Sequence, residues 1–279
     1  MEKLLEIQNL TKTYHEGTAK YKVVDNVNLI VDRGEFVVIM GASGSGKTSL
    51  LHLIAGIDES DAGTITYTLP SPPTARITGH TGNHTSDFSR MNEKAKTMFR
   101  RTNIGIVFQQ QCLIPDLTVY ENILLPMMLA RYPEGKARNL PSCRKEIIFH
   151  LCSQFGLKEH TGKYPSQLSG GQQQRAAILR SVVNKPPLLL CDEPTGSLNS
   201  AQTELVLELL NELNQSGQTI VLVTHDRKVA VRGQRVVYIE DGHIAGELRF
   251  PEAISGDAGR ELYDERESEL THFLQKRGW

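Results

Sequence analysis

The sequence predicts an α/β fold with a mainly parallel core sheet covered by helices. Three observations carry that expectation. The last third of the chain alternates helical and strand patterns, as a parallel sheet with crossover helices does. Two apolar runs, Phe36–Met40 and Leu188–Cys191, read as buried strands, one ending in a glycine-rich turn and the other in two acids. A helical stripe, Leu50, Leu51, Leu53 and Ile54, follows the glycine-rich turn at once.

The elements follow in order. Residues 3–40 alternate apolar and polar positions around turn signals such as Asp32-Arg33-Gly34, and read as strands. Gly63–Thr68 reads as a further strand. Residues 69–86 are rich in Pro, Ser, Thr, Gly and His and read as a surface insert. A helix is expected over 92–101 and a strand over Ile104–Phe108. Thr118 and Glu121 have capping-box spacing and open a helix that runs to Leu129. A second helical stretch covers roughly 142–155. Then come a helix at 171–184, the strand 188–191, and a helix at 200–214 with Leu205, Leu209, Leu210 and Leu213 as its apolar positions. Thr219–Val223 is a strand, and Asp241-Gly242 between two short apolar runs marks a hairpin. The tail, 258–277, reads as a helix with Leu262, Leu270, Phe273 and Leu274 on one face.

Composition narrows the class. The chain has 279 residues and a net charge of −1, so no global electrostatic attraction to nucleic acid is present. The four cysteines, Cys112, Cys143, Cys152 and Cys191, form no CxxC pair, which argues against a zinc knuckle or redox motif. Scattered thiols fit a reducing compartment. The N-terminus carries acids and lacks the long apolar core of a signal peptide. No apolar run approaches the ~18–20 residues of a membrane-spanning helix. If the chain works at a membrane, another chain does the spanning.

The chemistry begins at GASGSGKT, Gly41 to Thr48. Glycines after a strand let backbone N–H groups turn inward around phosphate oxygens, and the helix N-terminus adds partial positive charge. The candidate phosphate ligands are Gly41, Ser43, Gly44, Gly46, Lys47, Thr48 and Ser49. Lys47 supplies a point charge at the β- and γ-phosphates, and the Thr48 hydroxyl suits Mg²⁺. The plainer reading, a glycine-rich turn with a surface lysine, leaves the flanking strand and helix unexplained. Asp192 and Glu193 end a buried strand, where α/β proteins bind ligands. There Asp192 would hold Mg²⁺ and Glu193 would act as general base on water. Their plain alternative is a solvated pair of strand-end acids.

Leu168-Ser169-Gly170-Gly171-Gln172, just upstream of those acids, narrows the choice. With the phosphate loop it resembles the signature of ABC ATPases, over roughly residues 3–248. The resemblance implies a P-loop NTPase cassette over 1–250, with an antiparallel β subdomain, a helical signature subdomain at roughly 110–182 and a separate tail at 251–279. Ser169 and Gln172 have capping-box spacing, so the run opens a helix whose bare glycine N–H groups suit phosphate. Capping its own helix is the structural role Ser169 would have in any case. In the family, Ser169, Gly170, Gly171 and Gln172 would serve ATP bound to a second copy, giving a homodimer with two ATP molecules between the cassettes.

Other positions match that family's pattern one by one. Gln109 matches the glutamine that senses Mg²⁺ and water and meets the membrane partner. His225 matches the histidine near the γ-phosphate. Tyr14 matches the aromatic that stacks on adenine. One position departs: Asn199 stands where the family usually carries an aspartate that couples the two ATP sites. Asn keeps N-cap ability and loses the charge. The runs MGASGSGKT, IGIVFQ, LTVYENILLPM and DEPTGSLNS look like the branch for lipoprotein release, macrolide export and antimicrobial-peptide resistance. That resemblance implies an integral membrane permease as partner and a peripheral place on the cytoplasmic face of the cell membrane.

Three competing readings stay open at this stage. A non-transport ABC ATPase acting on nucleic acid or ribosomes would usually carry two cassettes or a long coiled coil, and neither is present. A nucleotide-binding module without turnover is opposed by Lys47, Asp192, Glu193 and His225. His80 and His84 could hold a metal only on a helix, which the surrounding Gly and Thr oppose.

Overall fold

The computed structural model describes residues 2–70, 83–130, 141–250 and 260–277. The chain divides into two compact units, residues 1–96 with 214–279, and residues 97–213.

The first unit holds an antiparallel sheet in the order β2-β1-β4-β5. Its strands are β1 (Lys3–Glu16), β2 (Ala19–Asp32), β4 (Ala62–Pro70) and β5 (Asn83–Asp87). The β1–β2 turn passes through Gly17 at φ 60°, a conformation that glycine adopts without strain. Along β2, Val24, Val27, Leu29 and Val31 are buried between exposed positions, the alternation of a sheet with one covered face. Tyr67 on β4 is fully buried and donates its hydroxyl to Ile54 O at 2.7 Å, with Phe88 edge-on at 5.5 Å. Within the segment read as an insert, residues 69–70 and 83–86 are strand, paired from Thr66↔Asp87 to Pro70↔Asn83. The polar composition hid them because β5 lies at the sheet edge, where few side chains need be apolar. Residues 71–82, with His80, lie outside the described residues, whereas His84 is exposed on β5.

The same unit carries parallel strands that are buried on both faces. Here β3 (Phe36–Met40) lies between β8 (Thr219–Val223) and β9 (Arg235–Glu240), parallel to both, and β10 (His243–Arg249) returns antiparallel along β9. Every residue of β3 and β8 is buried, which accounts for their unbroken apolar runs. At the amino end of this layer, Arg235 reaches Glu35 through two nitrogens, Nε to Oε1 at 2.8 Å and Nη2 to Oε2 at 2.9 Å, and Glu247 at 3.1 Å. Such a buried fork sets register more than it adds stability, but removing one partner strands a buried charge. At the carboxyl end, helix α1 (Lys47–Ala55) buries Leu50, Leu51, Leu53 and Ile54, the stripe expected from the sequence.

The second unit pairs β6 (Ile104–Val107) and β7 (Leu188–Asp192) in parallel, with Val107 opposite Cys191. Helix α2 (Glu93–Asn103) leads into it from the first unit. Its further helices are α3 (Val119–Leu129), α4 (Pro141–Gln154), α5 (Gly170–Val182) and α6 (Ser200–Gln215). The capping box of α3 is complete: Glu121 N donates to Thr118 Oγ1 at 3.3 Å, and Thr118 N to Glu121 Oε2 at 2.8 Å. One expectation is corrected. Leu205 is 49% exposed, and the buried stripe of α6 is Val206, Leu207, Leu209 and Leu210. Both leucine sets fit a helical period, so spacing alone did not choose between adjacent faces.

All four cysteines are free thiols. Burial pushes the Cys152 thiol up to about 11. Burial, and secondarily the nearby Asp192 carboxylate, raises the Cys191 thiol further still. Both therefore act as small apolar residues. No helix among the described residues is long and apolar enough to cross a membrane.

The tail forms α8 (Arg260–Gln275) in the first unit, preceded in that unit by the short helix α7 (Arg227–Ala230), against which it packs. Leu270 and Leu274 are buried, whereas Leu262 and Phe273 are half-buried. Leu270→Ala should therefore cost about 2–5 kcal/mol, the range for a leucine truncated in a packed site. Thermal and urea melts check this, and a variant that unfolds like wild type would show that α8 contributes no packing.

Candidate functional site

The phosphate loop follows β3 directly, and its form is imposed from outside. A Cβ on Gly41 would strike Ile239 O and meet Ser45 Oγ at 2.5 Å, while a Cβ on Gly46 would strike Val23 O. Gly46 adopts φ 99°, and α1 starts at the next residue. The β9–β10 turn closes the arrangement: Gly242 N donates to Ser45 O at 3.1 Å and Asp25 N to Gly242 O at 2.9 Å. Lys47 is buried, and its ammonium donates to Gly41 O at 2.9 Å and Ala42 O at 2.7 Å. These bonds hold the charge over the loop. Ser45 Oγ is buried with no hydrogen-bond partner. An orphaned hydroxyl beside a buried ammonium and bare glycine backbone is a fit for phosphate oxygens. Ser43, Gly44 and Thr48 are exposed, and Ser49 is half-buried.

Tyr14 lies in the same unit, 41% exposed. Its hydroxyl donates to Asp58 Oδ2 at 2.6 Å, and its ring lies 5.2 Å from the Lys12 ammonium. Lys12 also bonds Asp58 Oδ1 at 2.8 Å. Burial raises the Tyr14 hydroxyl, helped by its bond to Asp58 and opposed by one to Ser49. For Asp58, burial acts upward, but Lys12 and Tyr14 outweigh it and hold the carboxyl below its usual range. The cluster fixes an aromatic ring whose stem comes from β1 and whose anchor comes from the residues after α1.

His225 is exposed just beyond β8. The preceding Thr224 N donates to Ile39 O at 3.1 Å, so the ends of β8 and β3 are tied together. The phosphate loop and His225 thus leave the carboxyl ends of adjacent parallel strands, Ile39 being opposite Val223.

The second unit repeats this device. Gln109 follows β6, and Asp192 and Glu193 end β7, its parallel neighbour. A Cβ on Gly196 would lie 3.3 Å from Gln109 Nε2 and 3.5 Å from Glu193 Oε2, so these two side chains converge on one glycine. Asp192 is buried, whereas Gln109 is exposed. Glu193 takes φ 44°, a left-handed backbone that few residues other than glycine adopt. Beyond Gln109, Arg180 of α5 donates to Gln111 O at 3.1 Å and Cys112 O at 2.6 Å, and burial lowers the pKa of its guanidinium.

Helix α5 starts at the signature run. Ser169 N donates to Gln172 Oε1 at 2.9 Å and Gln172 N to Ser169 Oγ at 3.4 Å, a complete capping box. Ser169 and Gly170 are exposed, and Gly171 packs so closely on Gln202 that a Cβ would meet its Cγ at 2.9 Å. Asn199 Oδ1 accepts from Gln202 N at 2.9 Å, so asparagine does cap α6.

A family model described as ABC transporter matches residues 24–196, more than half of the chain. The chain belongs to the ABC transporter family. It is 36% identical over 242 residues to the lipoprotein-releasing system ATP-binding protein LolD of Legionella pneumophila (strain Paris), covering 86% of this chain and 96% of that one. It is also 36% identical over 261 residues to the bacitracin export ATP-binding protein BceA of Halalkalibacterium halodurans, covering 93% and 92%. Among solved structures, the dimeric post-hydrolysis state of the ATP-binding cassette MJ0796, bound to ADP and Pi, superposes with a TM-score of 0.74. That match has 35% identity and covers 89% of this chain and all of the other. The protein is thus an ATP-binding and ATP-hydrolysing ABC cassette.

Some residues that shape this cassette's site carry no motif. Gly242 braces the phosphate loop from about two hundred residues away in sequence, and its only signal was the Asp-Gly hairpin dipeptide. Arg180 and Asp58 are single charged residues with nothing around them to mark a role. The Asp58 cluster makes a pH-dependent contribution with a definite sign. A carboxyl held below its unfolded value of about 3.9 stabilises fully above that pH and loses the effect as pH falls through its lower folded value. The stability gap between wild type and Asp58→Asn should be constant at neutral pH and close below about pH 4. Urea denaturation at a series of pH values measures it, and a gap that persists in acid would sink this assignment.

Proposed function

We propose that this cassette binds Mg-ATP on its phosphate loop and closes with a second copy around two nucleotides. The closure drives conformational change in a separate integral membrane permease, with the cassette peripheral on the cytoplasmic face of the cell membrane. The observation that carries the reading is the signature helix. Its N-terminus is capped within itself and still exposes Ser169 and Gly170, in a chain that already has one complete phosphate loop. A second phosphate-binding helix end is redundant for one nucleotide and useful for a partner's. The dimeric MJ0796 cassette supports the same arrangement.

The roles follow from chemistry. Gly41, Ser43, Gly44, Gly46 and Ser49 line the cradle, Lys47 neutralises the β- and γ-phosphates, and Tyr14 stacks on adenine. Thr48 and Asp192 are oxygen donors, the set that suits Mg²⁺, an ion that keeps waters and phosphate oxygens as its remaining ligands. When bound, the ion supplies charge neutralisation between the phosphates. Glu193 accepts the proton of the attacking water, Gln109 orients that water, and His225 steadies the γ-phosphate. The names of LolD and BceA favour a transport partner over a nucleic-acid or ribosomal one.

Two variants test the site. Lys47→Ala should remove most nucleotide affinity, because the phosphates lose their main counter-charge while the backbone cradle stays. Calorimetric titration with ATP measures it, and unaltered affinity would dismiss the phosphate-loop role. Glu193→Gln should bind ATP normally and nearly abolish turnover, since an amide cannot accept the proton. Light scattering should then show a dimer that forms only with ATP. Hydrolysis at the wild-type rate would remove Glu193 as the base.

A further inference from the structure

The tail helix α8 holds a buried arginine that its packing role does not require. Arg266 is 3% exposed, among the deepest charged side chains of the first unit. Its Nη1 donates to Val231 O at 3.0 Å and to Gly233 O at 3.2 Å, and its guanidinium lies 4.6 Å from the centre of the Phe250 ring. These carbonyls end the segment that starts at His225. That segment leaves β8, forms α7, capped by Asp226 Oδ1 on Lys228 N at 2.8 Å, and rejoins the sheet where Gln234 N donates to Phe36 O at 2.8 Å. At its entry it is tied by Thr224 to β3. At its exit it is tied by Arg266.

Two further contacts from α8 reach the same segment. Arg232 Nη1 donates to Tyr263 Oη at 2.6 Å with its guanidinium 4.0 Å from that ring, and Arg227 Nη1 donates to Thr271 Oγ1 at 3.4 Å. Leu270 and Leu274 already supply apolar docking. Burying a cation is a poor way to add stability, because desolvation consumes most of the gain. One terminal nitrogen of the planar guanidinium instead restrains the direction of two carbonyls at once, and those carbonyls belong to the stretch between the end of α7 and β9.

We propose that Arg266 is a positioning residue for ATP hydrolysis: from the tail helix it fixes the exit of the His225 segment and so the placement of His225. This rests on the assignment of His225 to the γ-phosphate. The cassette's nucleotide affinity resides in other residues, so the inference separates binding from turnover.

Steady-state hydrolysis and ATP titration of the full chain, well below each variant's melting temperature, test it. Arg266→Met should lower kcat about tenfold, within the range that displacement of a positioned group produces, with KM and ATP affinity unchanged. Arg266→Lys keeps the charge and a donor but loses the planar head that stacks on Phe250 and fixes the direction of the two N–H groups, and should fall between wild type and Arg266→Met. Leu270→Ala, which loosens the same helix without touching the carbonyls, should keep its kcat. Wild-type kcat in Arg266→Met, or an equal loss in Leu270→Ala, overturns the inference. Should Arg266→Met not fold, Arg266→Lys decides, and an undiminished kcat there overturns it. His225→Ala separates the two levels. If it hydrolyses ATP normally, the assignment of His225 fails and takes this inference with it. If it is slow while Arg266→Met is normal, the inference alone fails. In the double variant, Arg266→Met should add no further loss to His225→Ala.

Discussion

Everything at the phosphate loop depends on one backbone junction. The Ser45 carbonyl, both backbone groups of Gly242 and the Asp25 amide form a short hydrogen-bonded chain, and Gly46 lies so close to Val23 O that only hydrogen fits. Three separate stretches, β2, the loop and the β9–β10 turn, meet there through main chain alone. The loop is therefore held by its neighbours, and Gly41 and Gly46 are glycine because those neighbours leave no room, whereas Gly44 has room and is glycine for its left-handed backbone at φ 81°. At the other end of the same strands, Arg235 and Glu35 form a buried fork. The sheet is tied at its amino ends by charge and at its carboxyl ends by peptide groups, and Lys47 and His225 follow the second set.

Both units use one geometric rule. Adjacent parallel strands end at nearly the same height, so the residues that follow them are brought together however far apart they lie in sequence. In the first unit this puts His225 beside the phosphate loop. In the second it brings Gln109 and Glu193 to Gly196. Arg180 then joins the signature helix to the carbonyls after Gln109.

Much of this was legible in the sequence, for identifiable reasons. Strands buried on both faces announced themselves as unbroken apolar runs, and α3 and α5 announced their starts through capping boxes that the structure makes in full. The dipeptide Asp241-Gly242 gave the hairpin. What failed to show did so on physical grounds. The edge strand β5 is polar, so it looked like loop. On α6, Leu209 and Leu210 are buried as expected, but Val206 and Leu207 complete the stripe in place of Leu205 and Leu213, because apolar residues stand on both sides of the shared positions. The contacts of Gly242, Arg180, Asp58 and Arg266 are long-range, to backbone carbonyls and amides or to side chains such as Lys12 and Tyr14, and such contacts leave no local pattern in sequence.

The left-handed backbone at Glu193 bears on how this protein family can change over time. Branched residues such as valine, isoleucine or threonine carry a steric penalty at φ 44° whatever their chemistry. With Glu193 as the proposed base, a lineage that gave up hydrolysis by taking one of those residues would lose fold quality along with chemistry. Glycine, asparagine and aspartate accept the conformation most readily. Inactive descendants of such a cassette should therefore be recruited from a narrow alphabet, and the residue standing after the strand-end aspartate then records the backbone as much as the lost reaction.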